Sequence, residues 1–223
     1  MDSFIINKFY EEDEYQIIDD ILKQGTWKNS PKSIIIDSVE HQISEEDIFE
    51  TELNLDKIFL EKTQNDFIFY SYCVPYSNTK VNIHRMTNKG FFRIHQDSIM
   101  YGDYATVIAL NHPEEYEGGE LELFVEGKEL KFKLPKGFAL TYKTGLLTKI
   151  NTVTSGERIT STFYTKSLFS DEKVREIYSK LLYLNTKFEA KPVVHTYEEA
   201  LNDPNYILGE IKDYFIHTYG NNT

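Results

Sequence analysis

The chain is short of several residues that would settle its chemistry quickly. Among 223 residues there is one cysteine, one tryptophan and three methionines. A single cysteine, Cys73, excludes an internal disulfide and a multi-cysteine metal site, and points to a reducing, cytoplasmic setting. Cys73 lies in the apolar run "FIFYSYCVPY", which reads as a strand over Phe67–Tyr72 with a buried structural thiol. Basic residues are also scarce: 24 Lys and Arg against 36 Asp and Glu give a formal net charge of -12. Broad attraction to nucleic-acid phosphates or anionic membranes is disfavoured, and a neutral or basic partner is easier to accommodate. The first residues, "MDSFIINKFYEEDE", lack the basic start and long apolar stretch of a signal peptide. No later run approaches the length of a membrane span.

What is abundant is aromatic: 16 tyrosines and 15 phenylalanines, within a hydrophobic content of 40%. Such a chain buries enough apolar area to offset its conformational entropy, and its length fits one domain, residues 1–223. Residues 1–65 form a helix-containing N-terminal region. In it, acids at the start, Tyr15, Ile18, Ile21 and Leu22 at helical spacing and Gly25 as a stop predict a helix over Glu11–Gln24. Strand and helix signals compete from Asp37 to Lys62. Residues 66–167 alternate with period two, broken by "NKG", "EGK", "LPKG", "KTG" and "TSGE" at the short intervals of an all-β barrel or sandwich. In residues 168–223, Ser170 reads as the cap of one helix and Asp203–Pro204 as the start of another.

The phrase "FFRIHQDS" puts His95 and Asp97 two residues apart at the end of a strand, so both project from one face. An imidazole and a carboxylate converging in this way supply two of the three ligands of a facial iron(II) triad. Alone the pair is a weak signal, since most His-x-Asp pairs are ordinary polar surface. The surrounding phrases "NHPEEYEGGELELF" and "VTSGERITSTFYTKS" narrow the reading. Gly118 and Gly119 allow a sharp turn into the "ELELF" strand, while Ser155 and Gly156 form a turn that delivers Arg158 onto the last core strand.

From Arg85 to about Ser167 these phrases, in this order and spacing, resemble the prolyl 4-hydroxylase-like branch of the iron(II)/2-oxoglutarate oxygenases, especially the prokaryotic PKHD-type hydroxylases. The resemblance implies a mainly β fold with flanking helices, a double-stranded β-helix of the jelly-roll, cupin-like kind. It implies Fe(II), 2-oxoglutarate and, as an accessory, ascorbate. It implies O2 and a peptidyl or small-molecule substrate, while the charge balance above speaks for no nucleic-acid or membrane partner. His95 and Asp97 would hold the metal. Arg158 would grip the distal carboxylate of 2-oxoglutarate in a two-pronged hydrogen bond, a task that suits guanidinium better than ammonium. Thr160 and Thr162 share its strand face. Tyr104 and Tyr142 are further candidate hydroxyl donors, with core packing the competing reading for each.

One ligand of the family is missing. Its second iron-binding histidine stands ten residues before the arginine, and that position here is Thr148, with no histidine between His112 and His195. Met86 stands where relatives carry a tyrosine. His84 lies one strand before the motif, while His41, His195 and His217 lie outside the strand core; of these His195 could fold back to coordinate, a capping or surface role being the commoner one for a lone loop histidine. Three readings follow: an oxygenase with an incomplete triad, a non-catalytic binding module, and an altered site that holds a different metal or supports different chemistry. Retention of His95, Asp97 and Arg158 together favours the first.

Overall fold

The structure is a computed structural model that describes residues 3–188 and 196–220. Five strands precede the expected core: β1 (Phe4–Lys8), β2 (Thr26–Asn29), β3 (Lys32–Ile36), β4 (Val39–Glu45) and β5 (Asp47–Glu50). Among them lies α1 (Tyr15–Leu22), entered through a short 3-10 turn at Glu12–Glu14, and after them come α2 (Leu55–Asn65) and α3 (Phe67–Cys73). The core continues with β6 (Pro75–Asn78), β7 (Asn82–Met86), β8 (Phe91–Gln96), β9 (Tyr104–Ala109), β10 (Tyr116–Gly118) and β11 (Leu121–Val125). Then follow β12 (Lys128–Phe132), β13 (Phe138–Lys143), β14 (Leu147–Ile150), β15 (Val153–Gly156) and β16 (Arg158–Ser167). The chain closes with α4 (Glu172–Asn185), α5 (Tyr197–Asn202) and α6 (Pro204–Tyr219). No described helix is long and apolar enough to cross a membrane.

Two antiparallel sheets carry the fold. The larger has the order β1-β13-β9-β16-β7-β5-β2, with β6 also paired to β16, and the smaller runs β12-β11-β14-β8-β4-β3. This is the double-stranded β-helix expected from the sequence. The N-terminal region does more than the expected helix, because it places β1, β2 and β5 in the large sheet and β3 and β4 in the small one.

Strand alternation divides the core. On β9 the side chains of Tyr104 and Ile108 join Ile18, Phe59, Phe69 and Phe163 behind the large sheet, where α1, α2 and α3 cover it. The other face of β9, Ala105 and Val107, packs with Leu121, Leu123, Leu140 and Tyr142 between the sheets. Phe59 and Phe69 are fully buried, each contributing roughly 1.5–3 kcal/mol by area removed from water.

Three local expectations are corrected. Phe67–Tyr72 is helical, not a strand, because the Asp66 carboxylate accepts the Phe69 N–H and caps α3. An unbroken apolar run has no period to reveal this. The cap of α4 is Asp171 rather than Ser170, its carboxylate accepting from the Lys173 and Val174 N–H groups. Ser155 and Gly156 do not form a free turn but belong to β15, which pairs with β10 in a separate two-stranded sheet. Gly156 takes a φ of 72°, and a Cβ there would lie 2.0 Å from the Glu115 carbonyl oxygen, so only glycine lets the two strands meet.

Candidate active site

The two sheets enclose a cavity of about 360 Å³ lined by His95, Asp97, Thr148, Arg158, Thr160 and Tyr142 among others. With Thr162, which also lines it, seven of the eight candidate residues named from the sequence meet in one place. Tyr104 does not. It lies on the opposite face of β9 from Val107, fully buried against the Tyr72 ring at 5.0 Å and beneath the Arg175 guanidinium. Period two sends a residue an odd number of positions from Val107 away from the cavity, which removes Tyr104 from the co-substrate set.

His95 stands on β8, and its Nδ1 lies 2.8 Å from the Arg93 carbonyl oxygen. A carbonyl only accepts, so Nδ1 carries the proton and the Nε2 lone pair faces the cavity, the form in which imidazole binds a metal. From Nε2 it is 3.8 Å to Asp97 Oδ1. Asp97 is held from the other side. The Tyr142 hydroxyl donates to Oδ2 and the Tyr164 hydroxyl to Oδ1, both at 2.7 Å. Burial, followed by the Asp97 charge, pushes both phenols well above their ordinary range, so they remain donors at neutral pH.

Thr148 occupies the place inferred by counting. It is the register partner of His95 across the β14–β8 pair, and its hydroxyl lies 3.3 Å from His95 Nε2. Its side chain is buried and its hydroxyl is a weaker donor to iron(II) than imidazole. Among the described residues no group of three or more His, Cys, Asp and Glu side chains is arranged to hold a metal ion. The chain thus offers two strong ligands with a hydroxyl beside them. The metal-facing His95 lone pair and the oriented Asp97 carboxylate fit an iron(II) ion to that extent. His195, the other candidate third ligand, lies outside the described residues.

Arg158 opens β16 and is 5% exposed. One of its nitrogens donates to Thr160 Oγ1 at 3.2 Å, and the Tyr116 hydroxyl is a second neighbour. No described carboxylate pairs with it, and its burial lowers the proton affinity of the guanidinium. Glu46 acts on it only through space, so the desolvated guanidinium has no directly paired carboxylate in the cavity and is a receptor for an anion. Its placement is fixed by Asn111, whose amide donates to the Glu157 carbonyl at 2.7 Å and accepts from the Ile159 N–H at 2.9 Å. Gly119, with φ 68°, leaves room for the arginine stem, since a Cβ there would lie 3.1 Å from Arg158 Cδ. Met86, where a tyrosine was expected by family, is fully buried in the cavity wall and offers no hydroxyl.

Tyr164, Asn111 and Glu46 were missed in the sequence. Tyr164 was within reach of the pattern, because it lies six residues after Arg158 and so shares its strand face. Glu46 lines the cavity from the β4–β5 junction, its side chain 3% exposed. Burial would raise its carboxyl, but the close contact and charge of His84, then those of Lys32, outweigh it and hold the group down to about 2.

No family model matches the chain. It is 40% identical over 79 residues to a PKHD-type hydroxylase of Gluconacetobacter diazotrophicus, a match that spans 35% of this chain and about a third, 35%, of that relative. A longer alignment, with a PKHD-type hydroxylase of Nitrobacter winogradskyi, is 24% identical over 191 residues and covers 79% of this chain and 84% of the relative. The fold is similar to that of a 2OG-Fe(II) oxygenase family oxidoreductase from Burkholderia pseudomallei, with TM-score 0.55, 15% identity and coverage of 74% and 87%. HygX from Streptomyces hygroscopicus, solved with nickel and 2-oxoglutarate, matches with TM-score 0.54 and 11% identity over 75% of this chain and 84% of that one. A Trichoplax adhaerens prolyl hydroxylase, in complex with a hypoxia inducible factor peptide fragment, gives TM-score 0.52 and 15% identity over 78% and 86%. The chain is therefore similar in sequence to the PKHD-type hydroxylases and carries the double-stranded β-helix fold of the 2OG-Fe(II) oxygenases.

Proposed function

We propose that this chain is an iron(II)- and 2-oxoglutarate-dependent dioxygenase that hydroxylates a peptidyl or small-molecule substrate. His95 and Asp97 hold the metal, and ascorbate serves as an accessory. The observation that carries the reading is the meeting, in one cavity, of a metal-facing His95 lone pair, a carboxylate fixed by two phenols and a buried Arg158 without a carboxylate partner.

Bound iron(II) and 2-oxoglutarate supply O2 activation coupled to decarboxylation of the co-substrate to succinate. The chain's own part is positional. Arg158 grips the distal carboxylate of the co-substrate, with Thr160 beside it. Tyr142 and Tyr164 keep Asp97 turned toward His95. Val107, Leu121 and Ile150 line the cavity and exclude water from it. Thr148 is the observation that favours a non-catalytic binding module, but such a module has no need of the His95 tautomer or the phenol clamp. A cytoplasmic setting belongs to the same proposal.

Supplied with iron(II), 2-oxoglutarate and O2, the purified protein should form succinate, and Asp97→Ala should not. A wild type that neither forms succinate nor binds 2-oxoglutarate would remove the reading.

A further inference from the structure

The oxygenase reading leaves one charged group of the cavity without a task. Glu46 is buried and ionised, its charge acts on Arg158 and Tyr164 across the cavity, and it hydrogen-bonds neither Asp97 nor Arg158 among the described contacts. Its two oxygens are held differently. Oε2 lies 3.0 Å from His84 Nδ1, and His84 Nε2 lies 3.0 Å from the Thr162 hydroxyl on β16. The His84 contact is an ion-pair distance without hydrogen-bond geometry, and it reaches Glu46 from β7, a central strand of the large sheet. Oε1 instead takes the ammonium of Lys32 at 2.9 Å, with the Ser44 hydroxyl at 3.4 Å.

Lys32 comes from β3, the outermost strand of the small sheet, and its side chain is 46% exposed. Its ammonium also sits over the Phe92 ring, 5.2 Å from the centroid. Phe92 packs against the His95 ring with centroids 4.1 Å apart. A buried carboxylate and an aromatic face together form a box for an alkylammonium, and Lys32 shows that one fits. The box is anchored in the core while its occupant swings from an edge strand on a flexible stem. An acidic chain also raises the local concentration of cations.

We propose that Glu46 and Phe92 form a receptor for a primary ammonium group of the substrate, occupied in the substrate-free protein by Lys32. An ammonium bound there has its carbon chain in the cavity that also holds His95 and Asp97. Its use in catalysis rests on the oxygenase reading; the binding itself does not.

The test is calorimetric titration of n-butylammonium into wild type, Lys32→Met and Lys32→Met/Glu46→Gln, with Lys32→Gln as a second single variant. Removing the resident ammonium leaves Glu46 short of a counter-charge, so each single variant should bind n-butylammonium at least roughly tenfold more tightly than wild type, and the double variant should lose that gain. Nα-acetyl-lysine amide, titrated in parallel, separates the sources. Tighter binding than n-butylammonium assigns a peptide-borne amine, and equal or weaker binding assigns a small-molecule amine. The same samples are titrated with 2-oxoglutarate. If 2-oxoglutarate binds but neither single variant gains affinity for n-butylammonium, the receptor is overturned. If the gain appears without any 2-oxoglutarate binding, the receptor stands and the oxygenase reading fails.

Discussion

The two walls of the cavity are built to different standards. The large-sheet wall presents Arg158, Thr160, Thr162 and Tyr164 from one strand, β16, paired on both sides by β7 and β9. Arg158 is locked on either flank by Asn111. The small-sheet wall presents His95 and Thr148 from β8 and β14, and the side chain of His95 is 29% exposed. Beyond β8 that sheet thins to β4 and the edge strand β3, with Ile34, Ile35 and Ile36 open to solvent. The Arg158 wall is thus the rigid one, while the His95 wall is more open and carries Thr148. Anion binding at Arg158 should survive changes on the other wall, whereas metal affinity should respond to small ones.

The largest expected effect lies on the rigid wall. Arg158→Ala should weaken 2-oxoglutarate binding by about 2–5 kcal/mol, the usual loss when one partner of a desolvated charged pair is truncated. Calorimetry under anaerobic conditions reads it. Equal affinity in wild type and variant would mean that the two walls do not divide the work in this way.

Legibility in the sequence follows the same division. On β16 and β8 the period of two, the two-residue spacing of His95 and Asp97 and the ten-residue interval from Thr148 to Arg158 picked out residues that line one cavity, because each interval is short in sequence. Tyr104 failed on parity: a tyrosine near the site is not a tyrosine facing it, and Val107 marks the face that does. Phe67–Tyr72 failed because an all-apolar run hides whether it is strand or helix. Glu46 and Lys32 were out of reach, since they arrive by the pairing of β4 with β8 and of β5 with β7, across more than 35 residues of chain. No spacing rule reports such contacts before the sheets are assembled.

The open wall gives the next test. Thr148→His puts an imidazole at the register partner of His95. Structural zinc sites with four ligands are worth about 10–16 kcal/mol, so one added ligand is worth about 3 kcal/mol, or on the order of a hundredfold in metal affinity. Manganese(II) titrated into both proteins provides the comparison. A folded Thr148→His protein with unchanged affinity would show that the side chain at this position does not reach the metal.

A smaller effect is expected where the two walls touch. Tyr164→Phe removes one of the two hydroxyls that the large sheet extends to Asp97, leaving Tyr142 in place. Outer hydrogen bonds to metal ligands are typically worth about 10–100-fold in affinity, and the surviving phenol places this loss near the lower end. Manganese(II) affinity should fall about tenfold while 2-oxoglutarate affinity in metal-free protein stays the same. A loss of both would assign Tyr164 to general packing instead.

The central claim is that a two-ligand metal site and a buried anion receptor work as one centre. Anaerobic titration of manganese(II) into the wild-type protein, with and without saturating 2-oxoglutarate, tests it most directly. The account predicts measurable binding through His95 and Asp97 that tightens when the co-substrate is present, because a ligand seated on Arg158 completes what Thr148 leaves open. No metal binding in either titration, or an affinity indifferent to 2-oxoglutarate, would contradict it.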